Sequence, residues 1–485
     1  MMGLTVILIY PQTGVKEISL PPFSLMAIAA TLEKRGFRVK IIDARVERDY
    51  RKKIQECLTE NVIFLGISSM TGAQIRNGLE IARIVRKQAP EIPIVWGGFH
   101  PTLLPRQTVR HALVDIVVKG QGEITAVELA ECLTGKRRLE EVKGLLYKKN
   151  GEILETPERS PENVNVFPPM AYDLVDVEKY LVHDVSPRTI GYISSRGCPH
   201  SCGFCAISKF YAGKWSGLEP ERVANEIENL VDRFGVNGIK FLDDNFFVDK
   251  ERVRQICEMI VERSLNIKWN ASCRCNYIVR YDTNLLSLMK KSGCHTIEFG
   301  GESGSQRILD MISKEIHVTH ILRSAEICCE YEFVGAYSFM MGFPYETESD
   351  LSETLALMDS LRKLLPDIEM NMFIYTPYPE TPLYYASIKN GFVPPQDLEQ
   401  WSHFSHNRVV IPWIDDKRKR LLEELSFLSW FAFTPSLGKK LRKKHLKLLF
   451  SILRKLAIFR WNNRIFELPI EWRILKHLHS IRSVS

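Results

Sequence analysis

Cys198, Cys202 and Cys205 stand in the run Cys198-Pro-His-Ser-Cys202-Gly-Phe-Cys205, directly after Arg196-Gly197 and the apolar segment from Thr189 to Ser194. Three thiolates can ligate three irons of a cubane and leave the fourth iron open to a small ligand, whereas a closed structural zinc site needs four donors. His200 or a distant cysteine would complete such a zinc site, so spacing alone leaves both readings open. Asp243, Asp244 and Glu302 are carboxylates that suit a cationic ligand; the bland alternative is helix capping. Cys273 and Cys275 flank Arg274, and Cys328 and Cys329 are adjacent. Neither pair is grouped like the first triad, so these thiols read as small buried hydrophobes.

The elements that must position these residues come in two series. Thr5 to Tyr10, Arg38 to Asp43, Val62 to Ser68, Ile92 to Trp96 and Asp115 to Val118 read as apolar strands, separated by amphipathic stretches such as Ser24 to Arg35 and Ala73 to Gln88. This pattern implies an α/β domain over residues 1–140, with a doubly wound, Rossmann-like (flavodoxin-like) parallel sheet. Such sheets bind ligands at the carboxyl ends of their strands. Here those ends carry Ser68-Ser69-Met70-Thr71-Gly72, Gly97-Gly98-Phe-His100 and Gly120-Gln-Gly122-Glu123. The glycines suit a ligand or merely tight turns. No GxGxxG or GxxxxGK[ST] phosphate loop occurs there.

Residues 141–188, with Pro157, Pro161, Pro168 and Pro169 and no sustained period, read as a linker. A second series of strands begins at Thr189 and recurs at Gly238 to Leu242, Lys268 to Ser272, Thr296 to Gly300, Gly335 to Met340 and Glu369 to Tyr375. Helical patterns at Pro220 to Phe234, Lys250 to Arg263 and Asp350 to Leu361 alternate with them. Residues 189–390 are therefore expected to form a partial (β/α)6 TIM-type barrel, with its chemistry at the strand ends.

The opening from Met1 to Asp43 reads as strand, loop, helix and strand and lacks the pattern of a secretory leader. The expectation is a cytoplasmic protein whose eleven cysteines are reduced. The net charge of +7 is uneven: from Lys417 onward there are 17 Lys and Arg against four acids, giving the tail +13 and the remainder −6. Residues 391–485 are expected to be a basic helical region associated with substrate or membrane. Within it, 439–460 place Leu441, Leu448, Ile452, Leu456 and Phe459 on one stripe, widened by Leu449 and Leu453, with lysines opposite. Such a helix suits peripheral contact with the inner face of a membrane; the alternative is packing on the barrel. No recognisable nucleic-acid motif accompanies the charge, so nucleic acid is not an expected partner.

The cysteine run resembles the CxxxCxxC signature of the radical SAM superfamily, and the likeness extends over roughly residues 189–385. Phe204 fills the aromatic place before the last cysteine, and Phe241-Leu-Asp243-Asp244-Asn-Phe246 is similar to the second-strand motif of the cobalamin-dependent branch. Asn270-Ala-Ser-Cys-Arg274, Gly300-Gly-Glu302-Ser303-Gly-Ser305 and Gly342-Phe-Pro344-Tyr-Glu346-Thr347 resemble the third, fourth and fifth motifs. The resemblance implies that Cys198, Cys202 and Cys205 hold a [4Fe-4S] cluster. It also implies that Phe204, Asp243, Asp244, Arg274, Glu302, Ser303 and Gly342 bind S-adenosylmethionine. Glu380 departs from the pattern, standing where the sixth motif has glycine.

With that barrel behind it, the N-terminal domain resembles the B12-binding domains of the same branch. The resemblance implies cobalamin held by Ser68, Ser69, Met70, Thr71, Gly72, Gly97, Gly98, His100, Gly120, Gly122 and Glu123. The DxHxxG motif is missing, so no histidine from it reaches cobalt, and His100 reads as a turn residue or hydrogen-bond donor. The implied chemistry is reductive cleavage of S-adenosylmethionine to a 5′-deoxyadenosyl radical, with an electron from a donor such as flavodoxin or ferredoxin. Methylation of an unactivated carbon of a small-molecule or lipid substrate is the commonest outcome. Oxidation or cyclisation without methyl transfer, as in the anaerobic magnesium-protoporphyrin monomethyl ester cyclases, is the second reading. A cobalamin-binding sensor with an inert barrel is the non-enzymatic one.

Overall fold

The computed structural model describes residues 4–14, 20–404, 411–434, 444–467 and 470–471. The N-terminal sheet has seven strands: β1 (Thr5–Tyr10), β2 (Arg38–Asp43), β3 (Val62–Ser68), β4 (Ile94–Gly97), β5 (Ile116–Val118), β6 (Leu145–Lys149) and β7 (Glu152–Glu155), in the order β2-β1-β3-β4-β5-β6-β7. The first five are parallel. Their runs are apolar on both sides because both faces are covered: Ile7, Ile9 and Ile67 pack into one layer, Val6, Leu8 and Phe64 into the other. The order reverses direction between β1 and β3, which places a crevice at their carboxyl ends.

Residues 145–155 are not part of a linker. They form an antiparallel hairpin that extends the sheet past β5. Asn150 and Gly151, both at positive φ, make its two-residue turn, a pairing suited to the twist of adjacent strands. From 156 to 188 the chain does lack strands, apart from a single bridge at Val182, and uses short 3-10 turns.

The second unit starts with β8 (Thr189–Tyr192). It runs into a small antiparallel ribbon, β9 (Ser195–Gly197) and β10 (Trp215–Gly217), and continues through β11 (Gly238–Phe241), β12 (Lys268–Cys273), β13 (Cys294–Glu302), β14 (Val334–Met341) and β15 (Glu369–Ile374). Six of these strands form one parallel sheet, β15-β14-β13-β12-β11-β8, the partial barrel. Helices Pro220–Phe234, Lys250–Glu262 and Glu348–Leu364 lie between its strands.

The region 391–485, read from the sequence as one unit, is divided in the fold. Trp401 and Phe404 belong to the apolar layer of the N-terminal domain, and the Trp401 ring meets His100 edge-on at 5.6 Å. The helix Asp416–Phe433 instead covers the barrel's edge strand: the Met372 backbone N–H donates to Ser429 Oγ at 3.0 Å. The helix Lys444–Asn462 packs on it, and the packing stripe differs from expectation. Leu453, Ala457 and Trp461 are buried, while Leu448, Ile452 and Phe459 are 64%, 56% and 56% exposed. The stripe is rotated because a buried cation sets the helix: Arg460 reaches Glu424 at 2.6 Å and also pairs with Glu471, and Trp461 Nε1 donates to Asp359 at 2.8 Å. Leu441 and positions 439–443 of the expected helix lie outside the described residues.

Replacing Arg460 with Met leaves Glu424 and Glu471 buried without their cation, a loss of about 3–5 kcal/mol. Burial already pushes the Glu424 carboxyl up, and loss of the guanidinium pushes it further. The deficit in apparent melting temperature of R460M is therefore expected to be larger at pH 8, where Glu424 must ionise, than at pH 5, where its protonation relieves the buried charge. Equal deficits at the two pH values contradict this account of the packing.

Candidate functional site

The loop bearing the three cysteines is fixed by two neighbouring carboxylates at the end of β11. Asp243 is buried and accepts from Ser194 N and Ser194 Oγ, both at 2.7 Å, and from Ser195 Oγ at 2.5 Å. Arg252 backs the same knot through Ser194 O at 2.8 Å. Burial pushes the Asp243 carboxyl up, and the Arg252 guanidinium and the serine donors act against that. Asp244 accepts from Gly197 N at 2.8 Å, and burial pushes its carboxyl up to about 6. Gly197 has φ +82°, and a Cβ there would lie 2.1 Å from Lys214 O, so no other residue closes this ribbon unshifted.

Beyond Gly197, Cys198, Cys202 and Cys205 share one loop. Asn245 Nδ2 lies 3.8 Å from Cys198 Sγ, and Arg274 Nη1 lies 3.2 Å from Cys202 Sγ. Gly203 N donates to Ile312 O at 2.7 Å and Cys205 N to Cys202 O at 3.0 Å. Among the described residues no three Cys, His, Asp or Glu side chains converge on a point as a single ion requires. The thiolates of a cubane each take a different iron, and three from one loop fit that demand. His200, the alternative zinc donor, is engaged elsewhere, with Glu315 and Tyr277 at 2.9 Å each.

Of the residues expected on S-adenosylmethionine, Glu302, Phe204 and Arg274 are brought together beside the cysteines. Glu302 is buried in the left-handed region, φ +59°, and accepts from Lys314 Nζ at 2.6 Å. Lys314 lies 5.8 Å from the Phe204 ring centroid, and Arg274 Nη2 donates to its backbone oxygen. Gly300 leaves the space for this pair, since a Cβ would stand 2.4 Å from Glu302 Oε1. Lys314 is absent from the sequence reading and carried no signal there. Asp243 is spent on Ser194 and Ser195 instead of being free for a ligand, and Asp244 faces the other way, onto the domain boundary. Ser303 is fully buried, bonded to Thr354 Oγ1 at 3.0 Å. Gly342 donates to Glu346 at 2.7 Å and accepts from Trp413 Nε1 at 3.1 Å. Glu380 takes φ +65°, the conformation that suits glycine, at a cost of about 1–3 kcal/mol, and accepts from Tyr385 OH at 2.7 Å.

A cavity of about 310 Å³ opens at the strand ends of the N-terminal sheet, against residues that flank the cysteine loop. Ser68, Gly97, Gly98, Gly120, Gly122 and Glu123 line it, as expected residues; Arg196, Tyr211 and Asp244 close it from the barrel side. Gly66 forms part of its floor, where a Cβ would stand 2.9 Å from Leu8. A glycine inside a strand marks such a close approach, a signal the reading passed over. The apolar depth and the polar mouth suit a ligand with a flat heterocyclic tail.

The rest of the expected cobalamin set is placed differently. Ser69 is buried with Oγ on Met70 O at 2.9 Å, Met70 is exposed, and Gly72 abuts Phe404. Thr71 Oγ1 and His100 Nδ1 lie 3.0 Å apart, and His100 is fully buried, burial pushing its pKa down to about 3. A neutral ring bonded to Thr71 and packed on Trp401 does not line the cavity. Across the boundary the Arg196 guanidinium pairs with Glu123, the first residue of helix Glu123–Leu133, both largely buried. This contact couples the cavity to the residue two places before Cys198.

Residues 192–358 match the family model of the radical SAM superfamily, and residues 16–130 match that of the B12 binding domain. An uncharacterized methyltransferase of Pyrococcus horikoshii is 31% identical over 457 residues, spanning 92% of this chain and 96% of that protein. The anaerobic magnesium-protoporphyrin IX monomethyl ester cyclase of Rubrivivax gelatinosus is 28% identical over 393 residues, 79% of this chain and 69% of its own. Among solved structures, the cobalamin-dependent S-adenosylmethionine radical enzyme OxsB, with aqua-cobalamin and S-adenosylmethionine bound, superposes with a TM-score of 0.76. At 19% identity, over 99% of this chain and 75% of that one, it shares the fold. The chain belongs to the cobalamin-binding radical SAM enzymes.

Proposed function

We propose that this enzyme methylates an unactivated carbon of a small, lipid-like substrate, and that Cys198, Cys202 and Cys205 hold its [4Fe-4S] cluster. The observation that carries the reading is the shared cavity: the B12 domain's strand-end loops and the residues flanking the cysteine loop, Ser195 and Arg196 before it and Phe210 and Tyr211 after it, border one space, joined by Arg196 and Glu123. Likeness over almost the whole chain to a methyltransferase supports methyl transfer. When bound, the cluster and S-adenosylmethionine supply a 5′-deoxyadenosyl radical and cobalamin carries the methyl group. Ser68, Gly97, Gly98, Gly120, Gly122 and Glu123 would receive cobalamin, and Glu302 the amino end of S-adenosylmethionine, by displacing Lys314. Glu123 and Glu302 are buried, which limits the access of water to the reacting groups. An external donor of the flavodoxin or ferredoxin class supplies the electron. Cyclisation or oxidation without methyl transfer is the second reading, favoured by the likeness to the Rubrivivax cyclase.

Among the described residues no helix is long and apolar enough to cross a membrane. The outer face of Lys444–Asn462 nonetheless presents Leu448, Ile452 and Phe459 beside the exposed Lys447 and Lys455, with Trp430 of the preceding helix also largely exposed. The inner stripe packs on the barrel, and the outer one suits the interface of an anionic bilayer, each surface-proximal lysine contributing about 1 kcal/mol. The reading is thus a cytoplasmic enzyme held peripherally on the membrane's inner face.

Anaerobically reconstituted protein is expected to bind about four irons and to form 5′-deoxyadenosine under reducing conditions. Cys198→Ala, Cys202→Ala and Cys205→Ala should each abolish the product; a variant that still makes it removes that cysteine from the ligand set. Mass spectrometry of lipids and metabolites from cells with and without the gene should show a gain of one methyl group, and a loss of hydrogen alone would select cyclisation or oxidation.

Flotation with anionic liposomes is expected to recover the full-length chain, and the triple variant L448E/I452E/F459E much less. Equal recovery of both, or of neither, rules out the membrane face.

A further inference from the structure

Arg274 is a buried cation of the site whose guanidinium meets no carboxylate among the described residues. Two other cations around the cysteine loop are neutralised, Lys314 by Glu302 at 2.6 Å and Arg196 by Glu123, while Arg252 shares Ser194 Oγ with the Asp243 carboxylate. Arg274 is equally buried, yet among the described residues its guanidinium meets no carboxylate; Nη1 points at Cys202 Sγ at 3.2 Å, Nη2 donates to Lys314 O, and Nε has no partner. A guanidinium withdrawn from water is costly unless an anion compensates it. Among the described residues, the group that Nη1 meets and that becomes an anion is Cys202, a thiolate when it ligates iron.

We infer that Arg274, which the sequence assigns to S-adenosylmethionine, is a positioning residue of the cluster instead, raising the cluster's reduction potential through an N–H···S bond to Cys202. In the step concerned, the [4Fe-4S]2+ cluster takes one electron from an external low-potential donor and becomes [4Fe-4S]1+, with no bond made or broken in the protein. The reduced cluster is one unit more negative, so a fixed positive charge and a donated hydrogen bond at its sulfur favour it. The second guanidinium bond, to Lys314 O, holds the segment that carries the partner of Glu302, so one side chain ties the cluster to the expected ligand of S-adenosylmethionine.

This inference rests on the assignment of the cluster to the three cysteines. Failure of that assignment would appear as wild-type protein without iron, before any comparison of variants. The test is an EPR-monitored redox titration of wild type, R274M and R274K after anaerobic reconstitution, with iron and sulfide quantified, and equilibrium dialysis of labelled S-adenosylmethionine. Full cluster content is expected in all three. The midpoint potential should fall in R274M and by less in R274K, whose ammonium keeps the charge but not the planar fork. The affinity for S-adenosylmethionine should stay within about threefold. An unchanged potential in both variants, or a loss of S-adenosylmethionine binding tenfold or greater at unchanged potential, overturns the inference. If R274M holds no cluster the potential of R274K decides, and loss of the cluster from R274K as well assigns Arg274 to building the loop, which also overturns it.

Discussion

The carboxylate of Asp243 is removed from water, and what compensates it organises the site. Three donors from Ser194 and Ser195 converge on it, and Arg252 holds Ser194 from behind. The end of β8 is thereby locked to the end of β11 before the chain enters the cysteine loop. Asp244, one residue on, fixes Gly197, and Asn245 reaches Cys198. Three consecutive side chains therefore set where the thiols stand, and none of the three needs to touch a substrate to be indispensable. A loop that carried its thiols without this anchor would lose the register on which the open iron depends.

The same anchor sets the relation between domains. Arg196 emerges from the locked ribbon and its charge is matched by Glu123 at the start of a helix in the N-terminal sheet. An ion pair this buried is disfavoured unless both partners arrive together, so its stabilisation is available only when the two domains are docked. Trp401 and Phe404 reinforce the docking from the far end of the chain by entering the N-terminal apolar layer. The cavity at the switch point of the first sheet thus has its second wall supplied by the barrel, through Ser195 and Arg196 on one side of the cysteine loop and Phe210 and Tyr211 on the other.

Much of this was legible in the sequence wherever the signal is local. Short runs rich in apolar and β-branched residues, set between helical patterns and turn residues, placed eleven strands to within about two residues at most of their ends, although Lys40, Asn270, Glu298 and Asn371 interrupt them. The cysteine spacing and the glycine-rich strand ends were visible for the same reason. The hairpin over residues 145–155 was hidden by surrounding prolines, although Asn150-Gly151 between two short runs is its signature. Arg274 and Cys202 are 72 positions apart, and no local pattern links them, so the motif suggested a ligand where the fold supplies a thiol. His100 sits in a loop of the expected type, but its ring is turned into the layer made by Trp401, a residue 301 positions later. The tail shows the limit of periodicity itself: the helix has two apolar stripes, and the buried Arg460, a residue that interrupts the pattern, decides which one faces inward.

We propose that the strand-end cavity and the cysteine loop make one composite site for cobalamin and the cluster. It is tested most directly by EPR of full-length, anaerobically reconstituted protein loaded with cob(II)alamin, before and after reduction of the cluster. A shared site predicts that the cob(II)alamin signal broadens and relaxes faster once the neighbouring cluster is paramagnetic, and that C198A abolishes the change. Two signals that simply add, with the cob(II)alamin line unaltered by cluster reduction, would contradict the account.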